Sequence, residues 1–208
     1  MTNADRVLHV IGHGRAEAAP ESAQLVLAVV ARNALAGLAF SQVSDASVAL
    51  QQSLGACGVA AKDIHTDHVS LQSAFGYGGP DTPPPSFEGR LTLTVRCAEL
   101  SRLEEILSTS ASNGSVEIQH IAYQVNDPAS LEDRAWQLAV ADGVRRAQLL
   151  AAASGLTLAG VVSLDGAGVA GPTFPGAYRA MSAESSMPSG ELASEAQVRM
   201  TFALVEGR

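Results

Sequence analysis

The chain has 208 residues, 47% of them hydrophobic but only 4% aromatic, with a formal net charge of -8 and a pI of about 5.0. That apolar content suffices for a core packed from small side chains, while the acidic balance, with no Lys/Arg cluster interleaved with aromatics, excludes nucleic acid as a partner. No run of about twenty apolar residues is present, so no membrane span is expected.

The first residues, "TNADRVLHVIG", lack the basic start and apolar run of a signal peptide. A cytoplasmic location is expected, or a periplasmic or secreted one if a leader has been removed. A first strand is predicted at about 6–14, and "VIGHGRAEAAPE" follows its apolar run. Gly12 and Gly14 around His13 invite a phosphate-binding reading, but the dinucleotide fingerprint needs a third glycine where Glu17 stands. The next segment, "ESAQLVLAVVAR", favours a strand at 21–32 over the helix a phosphate would need. Gly12 and Gly14 are therefore expected to serve backbone geometry, as a bulge or a close approach, with no cofactor bound.

A helix follows, with Leu35, Ala39, Val43, Ala46, Leu50 and Leu54 drawing one apolar stripe that ends near Gly55 or Gly58. "DIHTDHVSLQSAF" reads as a strand, and "GYGGPDTPPPS" interrupts it as a flexible hairpin loop. In "FEGRLTLTVRC", Phe87, Gly89, Leu91, Leu93, Val95 and Cys97 alternate with polar residues, so one face is buried and the sheet is antiparallel. Leu100, Leu103 and Leu107 mark a short helix ended by Asn113-Gly114, and "SVEIQHIAYQV" is another strand.

The longest helix spans "NDPASLEDRAWQLAVADGVRRAQLLAAASG". Asp127 before Pro128, or Ser130 with Asp133, caps its start, and Gly155 stands where a left-handed C-terminal cap belongs. Trp136, Val140, Gly143, Ala147 and Leu150 are predicted to share its packed face. A strand at 159–169, a long loop at 170–192 and a final strand that closes the sheet complete an α+β fold: a mainly antiparallel sheet against about three helices.

In their order and spacing, "VIGHGRAEAAPE", "LGACGVAAKDIHTDHVSL", "FEGRLTLTVRCAELSRLEEIL" and "DRAWQLAVADGVRRAQLLAAASGLTLAGVVSL" resemble the SIMPL-domain family. That family occurs in bacterial periplasmic and cytoplasmic proteins and in an animal signalling protein associated with a Pelle-like kinase. The resemblance implies a single SIMPL-like domain over 1–208, with flexible loops at about 76–86 and 170–192. It brings no agreed catalytic residues. Some members are linked to oxidative-stress defence, and some assemble into ring-like or channel-like oligomers. Two features depart from the pattern: the absent signal peptide, and Asp142-Gly143 where small, alanine-like helix residues are expected.

The residues themselves offer little chemistry. His65 and His68, with Asp63 and Asp67 beside them, invite a metal, but residues three apart on a strand point to opposite faces and share an ion only if the strand breaks there. His9 and His13 share a face yet stand roughly 13 Å apart, too far for one ion. No metal is expected. No G-x-S-x-G elbow occurs; Ser154-Gly155 and Ser189-Gly190 sit at a helix end and in a loop. Cys57 and Cys97 have no CxxC spacing and no basic neighbourhood, which reads as two reduced, inert thiols. Glu132, Asp133, Arg134, Arg145 and Arg146 form a solvated helix face. Phe174, Tyr178, Met181 and Met187 in the long loop suit partner recognition, or fold back over the sheet.

The reading is a non-enzymatic, self-associating homo-oligomer, linked to stress defence or acting as an interaction scaffold, with no catalytic, cofactor-binding or metal residues. The alternative is an enzyme or small-ligand-binding protein with an unrecognised site.

Overall fold

The structure is a computed structural model that describes residues 6–74, 86–173 and 190–206. In chain order the elements are β1 (Val7–Ala18), β2 (Ser22–Asn33), α1 (Ala36–Ala56), β3 (Ile64–Ala74), β4 (Ser86–Cys97), α2 (Leu103–Ala111), β5 (Val116–Gln124), α3 (Pro128–Ala153), β6 (Leu156–Thr173) and β7 (Leu192–Glu206). Single 3-10 turns occupy Ala61–Asp63 and Leu100–Arg102. The predicted order of strands and helices holds, and the α+β class with it. The strands form two antiparallel sheets, however, where one had been expected. The chain divides into two compact units, Glu21–Gln124 and the combined segments Met1–Pro20 and Val125–Arg208.

The unit of residues 21–124 carries a four-stranded sheet in the order β3-β4-β2-β5. Period-2 alternation puts Leu25, Leu27, Val29, Leu93 and Val95 on one face, where they pack with Val43, Leu50 and Leu54 of α1 and with Leu103 and Ile106 of α2. The buried stripe of α1 is Ala39, Val43, Ser47, Leu50 and Leu54. Leu35, expected in that stripe, precedes the helix as its N-cap and is 62% exposed. Ser47 takes an inward position because Gln51 Nε2 donates to its hydroxyl at 3.2 Å. Gly89 lets α1 approach β4: a Cβ there would lie 2.9 Å from the Ala39 carbonyl oxygen.

The other unit carries a three-stranded sheet in the order β1-β7-β6, covered on one face by α3. β7, expected to close a single sheet, is the central strand of this separate one. Its Ala196, Val198, Met200 and Phe202 meet Val10 of β1 and Leu131, Ala135, Ala139 and Ala147 of α3. The packed face of α3 runs through Leu131, Ala135, Ala139, Gly143, Ala147 and Ala151. This corrects the predicted face: Trp136 and Val140 lie on its flank, and Leu150 is 47% exposed. The small side chains won because β1 passes so close that large ones do not fit. Asp127 caps the helix, accepting from the Ser130 amide at 3.0 Å with Pro128 behind it, and Gly155 adopts the expected left-handed conformation at φ 70°.

The loop expected at 76–86 lies outside the described residues except for Ser86, which opens β4. Of the loop expected at 170–192, residues 170–173 belong to β6 and Leu192 to β7. Phe174, Tyr178, Met181, Met187 and Ser189 lie outside the described residues.

Candidate functional site

In the unit of β1, α3, β6 and β7, the Gly12-His13-Gly14 stretch is where strand and helix backbones come closest. A Cβ on Gly12 would lie 2.0 Å from the Ala139 carbonyl oxygen and 2.7 Å from the Gly143 nitrogen; one on Gly14 would lie 2.0 Å from the Ala135 carbonyl oxygen. The glycines are a contact device, as the sequence implied. The amide between them is also engaged: His13 N donates at 3.0 Å to Asp142 Oδ2, which in turn receives Arg146 Nε at 2.7 Å. Arg145 donates to Asp142 Oδ1 at 2.6 Å. The His13 amide first, then these guanidinium groups, hold the Asp142 carboxyl down to about 2. Asp142, which departs from the small-residue pattern, thus occupies the free edge of β1 with a charged side chain. This is a recognised way to blunt an edge strand.

The opposite edge of the sheet differs. β6 is 18 residues long and pairs only with β7 in this sheet. Val161, Val162 and Leu164 on it are 54%, 61% and 55% exposed. Gly166 brings β6 against Trp136, whose Cη2 would lie 3.0 Å from a Cβ at that position. A hollow of about 470 Å³ opens beside His13, Arg15, Gly168, Glu195 and Gln197, but Arg15 is paired with Glu17 at 2.6 Å and Glu195 at 3.5 Å. Exposed Arg145 and Arg146 prove to be partners of Asp142, so the solvated-face reading captured only half of their role.

In the unit of residues 21–124, both cysteines line one cavity of about 110 Å³, together with Gly58, Asp63, Arg96, Glu99 and Arg102. This is below the size of ordinary small-molecule sites. Both cysteines are buried and free. Cys97 Sγ donates to the Glu99 carbonyl at 3.0 Å, and Cys57 Sγ lies 3.3 Å from Thr109 Oγ1. Burial pushes the Cys97 thiol up, against a smaller opposing effect of its hydrogen bond. The expectation of no basic neighbourhood fails, since Arg96 and Arg102 line the same cavity and Arg102 Nη1 donates to the Cys57 carbonyl at 3.4 Å; at Cys97 burial outweighs them and disfavours the reactive thiolate.

The histidines follow a different arrangement from the predicted one. The β3–β4 register runs from Thr66 opposite Leu93 directly to His68 opposite Thr92, leaving Asp67 as the extra residue of a β-bulge. His65 faces Thr94 and His68 faces Thr92, so both stand on one face of the sheet. The expectation of opposite faces fails because the bulge shifts the strand's phase by one residue. Asp67 accepts a short hydrogen bond from Thr94 Oγ1 on that face. The signal lay in the sequence: Ile64 and Val69 are five apart, and both can face the helices only if one residue is added between them. His9 and His13 stay exposed along one face of β1, with His9 Nδ1 at 3.0 Å from Thr201 Oγ1.

The sequence pattern of the SIMPL family, described as a protein of unknown function (DUF541), matches residues 8–202. The chain belongs to the SIMPL family. Among its curated relatives are the 26 kDa periplasmic immunogenic proteins of Brucella melitensis and Brucella abortus, each 26% identical over 219 residues, covering 97% of this SIMPL chain and 86% of the relative. Of solved structures, CutA from Synechococcus elongatus matches at 11% identity over 60% of this chain and 87% of its own, with a TM-score of 0.26. A value that low assigns no fold. Among the described residues of this SIMPL protein, no helix is long and apolar enough to cross a membrane.

Proposed function

We propose that this SIMPL protein is a non-enzymatic, self-associating scaffold whose copies join along the outer edge of β6 and the 170–192 segment. The observation that carries the reading is the contrast between the two edges of the three-stranded sheet. On β1 the edge amide of His13 is taken by Asp142. On β6, 18 residues of edge strand carry Val161, Val162 and Leu164 more than half exposed. The pairing of β6 with β7 shifts register at four places, yet an edge of that length with apolar side chains offers room for strand addition, and a second copy of the same edge is the simplest closed partner.

Mass determination by light scattering on the full chain tests this reading. The expected result is a multiple of 21.4 kDa for the wild type, reduced in Val161→Glu/Leu164→Glu with circular dichroism unchanged. A monomeric wild type, or a variant that assembles as before, refutes it. The name of the Brucella relatives favours a periplasmic location over the cytoplasmic one, and fractionation of the native host decides between them. The link to oxidative-stress defence comes from family resemblance, and peroxide survival of a deletion strain tests it.

A further inference from the structure

We propose that His65 and His68 form a two-histidine chelate for a late first-row divalent cation, Cu²⁺, Ni²⁺ or Zn²⁺, on the face of the four-stranded sheet opposite its helices. The proposal rests on the β3 bulge. Without it the two imidazoles would stand on opposite sides of the sheet; with Asp67 inserted, His65 and His68 face Thr94 and Thr92, two residues apart on one face of β4. Such neighbours are separated by about 7 Å between Cα atoms, across one gap of the pleat. Both side chains are exposed. Each neutral ring offers a nitrogen, and imidazole suits these three ions above the hard cations.

The surroundings favour a cation. Asp67, the bulged residue between the two histidines, is tied to Thr94 on the same face and places a carboxylate there. Two arginines flank the pair on that face of β4: Arg90, opposite Ser70, is paired with Glu117 at 2.9 Å and Glu88 at 3.6 Å, and Arg96, two residues beyond Thr94, is engaged in an interaction of its own. Glu88 is held ionised chiefly by its hydrogen bond from Arg32. Among the described residues no group of three or more His, Cys, Asp or Glu could hold an ion by itself. Asp67 is therefore not a third ligand, and the proposed chelate is a surface pair of imidazoles with solvent in the remaining coordination positions, in contrast to a closed structural centre.

Isothermal titration of the full-length protein with Cu²⁺ and with Ni²⁺ provides the test, alongside His65→Gln, His68→Gln and the control His9→Gln/His13→Gln. Loss of either chelating arm removes the intramolecular second contact, so each single variant should bind at least about 100-fold more weakly. The control should keep the wild-type affinity, and electron paramagnetic resonance of the copper complex should show two nitrogen ligands that fall to one in each single variant. Absence of a saturable site, or a site unchanged in His65→Gln and His68→Gln, overturns the proposal. A site lost only in the β1 control variant overturns it equally.

Discussion

Replacing Gly12 with alanine should be among the most damaging single-methyl additions in the molecule. The new Cβ would stand 2.0 Å from the Ala139 carbonyl oxygen, 2.7 Å from the Gly143 nitrogen and 2.9 Å from the Gly143 Cα. All three are helix backbone atoms, so no rotamer change relieves the contact, and α3 must move off β1 along its buried alanine face. Overpacking of this kind costs about 2–3 kcal/mol, which for a chain of this length lowers Tm by roughly 5–10 °C. Gly37→Ala and Gly55→Ala in α1 are the controls: their added methyls meet nothing within 4 Å, and alanine stabilises helix positions by about 0.5–1 kcal/mol. Urea unfolding followed by the fluorescence of Trp136, the single tryptophan, reports on the affected unit, and circular dichroism follows the α1 controls in the other unit. A Gly12→Ala midpoint equal to wild type would refute the close-approach reasoning, because no contact could then exist at that spacing.

Asp142 should make the protein acid-sensitive: its folded carboxyl sits near 2 against an ordinary 3.8, so its contribution is full above about pH 4 and fades as pH falls towards 2. Asp142→Asn should flatten the decline in Tm between pH 4 and 2; an identical profile would show that the carboxylate is not engaged. The two thiols should resist alkylation in the native protein, with Cys97 slowed by its raised titration, and both should label once urea is added. Mass spectrometry finding a Cys57–Cys97 disulfide under non-oxidising conditions would contradict the inert-thiol reading.

What the sequence made legible was whatever repeats along one element. The alternation in β4 and the spacing of Val43, Leu50 and Leu54 in α1 each follow from a single period, and each corresponds to a buried face. Asp127 and Gly155 were legible for a similar reason, since capping is decided by the residue and its immediate neighbours. The division into two sheets was not, because period 2 is the same whichever sheet a strand joins. The face of α3 was misread through side-chain size: Trp136 and Leu150 are the larger apolar residues, yet a strand built with Gly12 and Gly14 selects alanines and Gly143 opposite it.

The same distinction explains the functional surfaces. Asp142 stands out in sequence only as an acidic residue beside a glycine in a helix of small residues, and its role depends on the amide of His13, 129 positions away. A local pattern cannot encode a contact whose partner lies on another element. The β3 bulge is an intermediate case. "IHTDHVSL" contains Ile64 at one parity and Val69 and Leu71 at the other, a conflict that a regular strand resolves only by turning one set to solvent. An inserted residue turns both sets to the same side of the sheet, although Val69 and Leu71 stay 44% and 43% exposed there. That same insertion carries His65 and His68 to one side, so the register shift at Asp67 decides where the imidazoles stand. A strand whose apolar residues change parity therefore has to be scanned for polar pairs at odd spacing, because there the ordinary rule that such pairs lie on opposite faces is reversed.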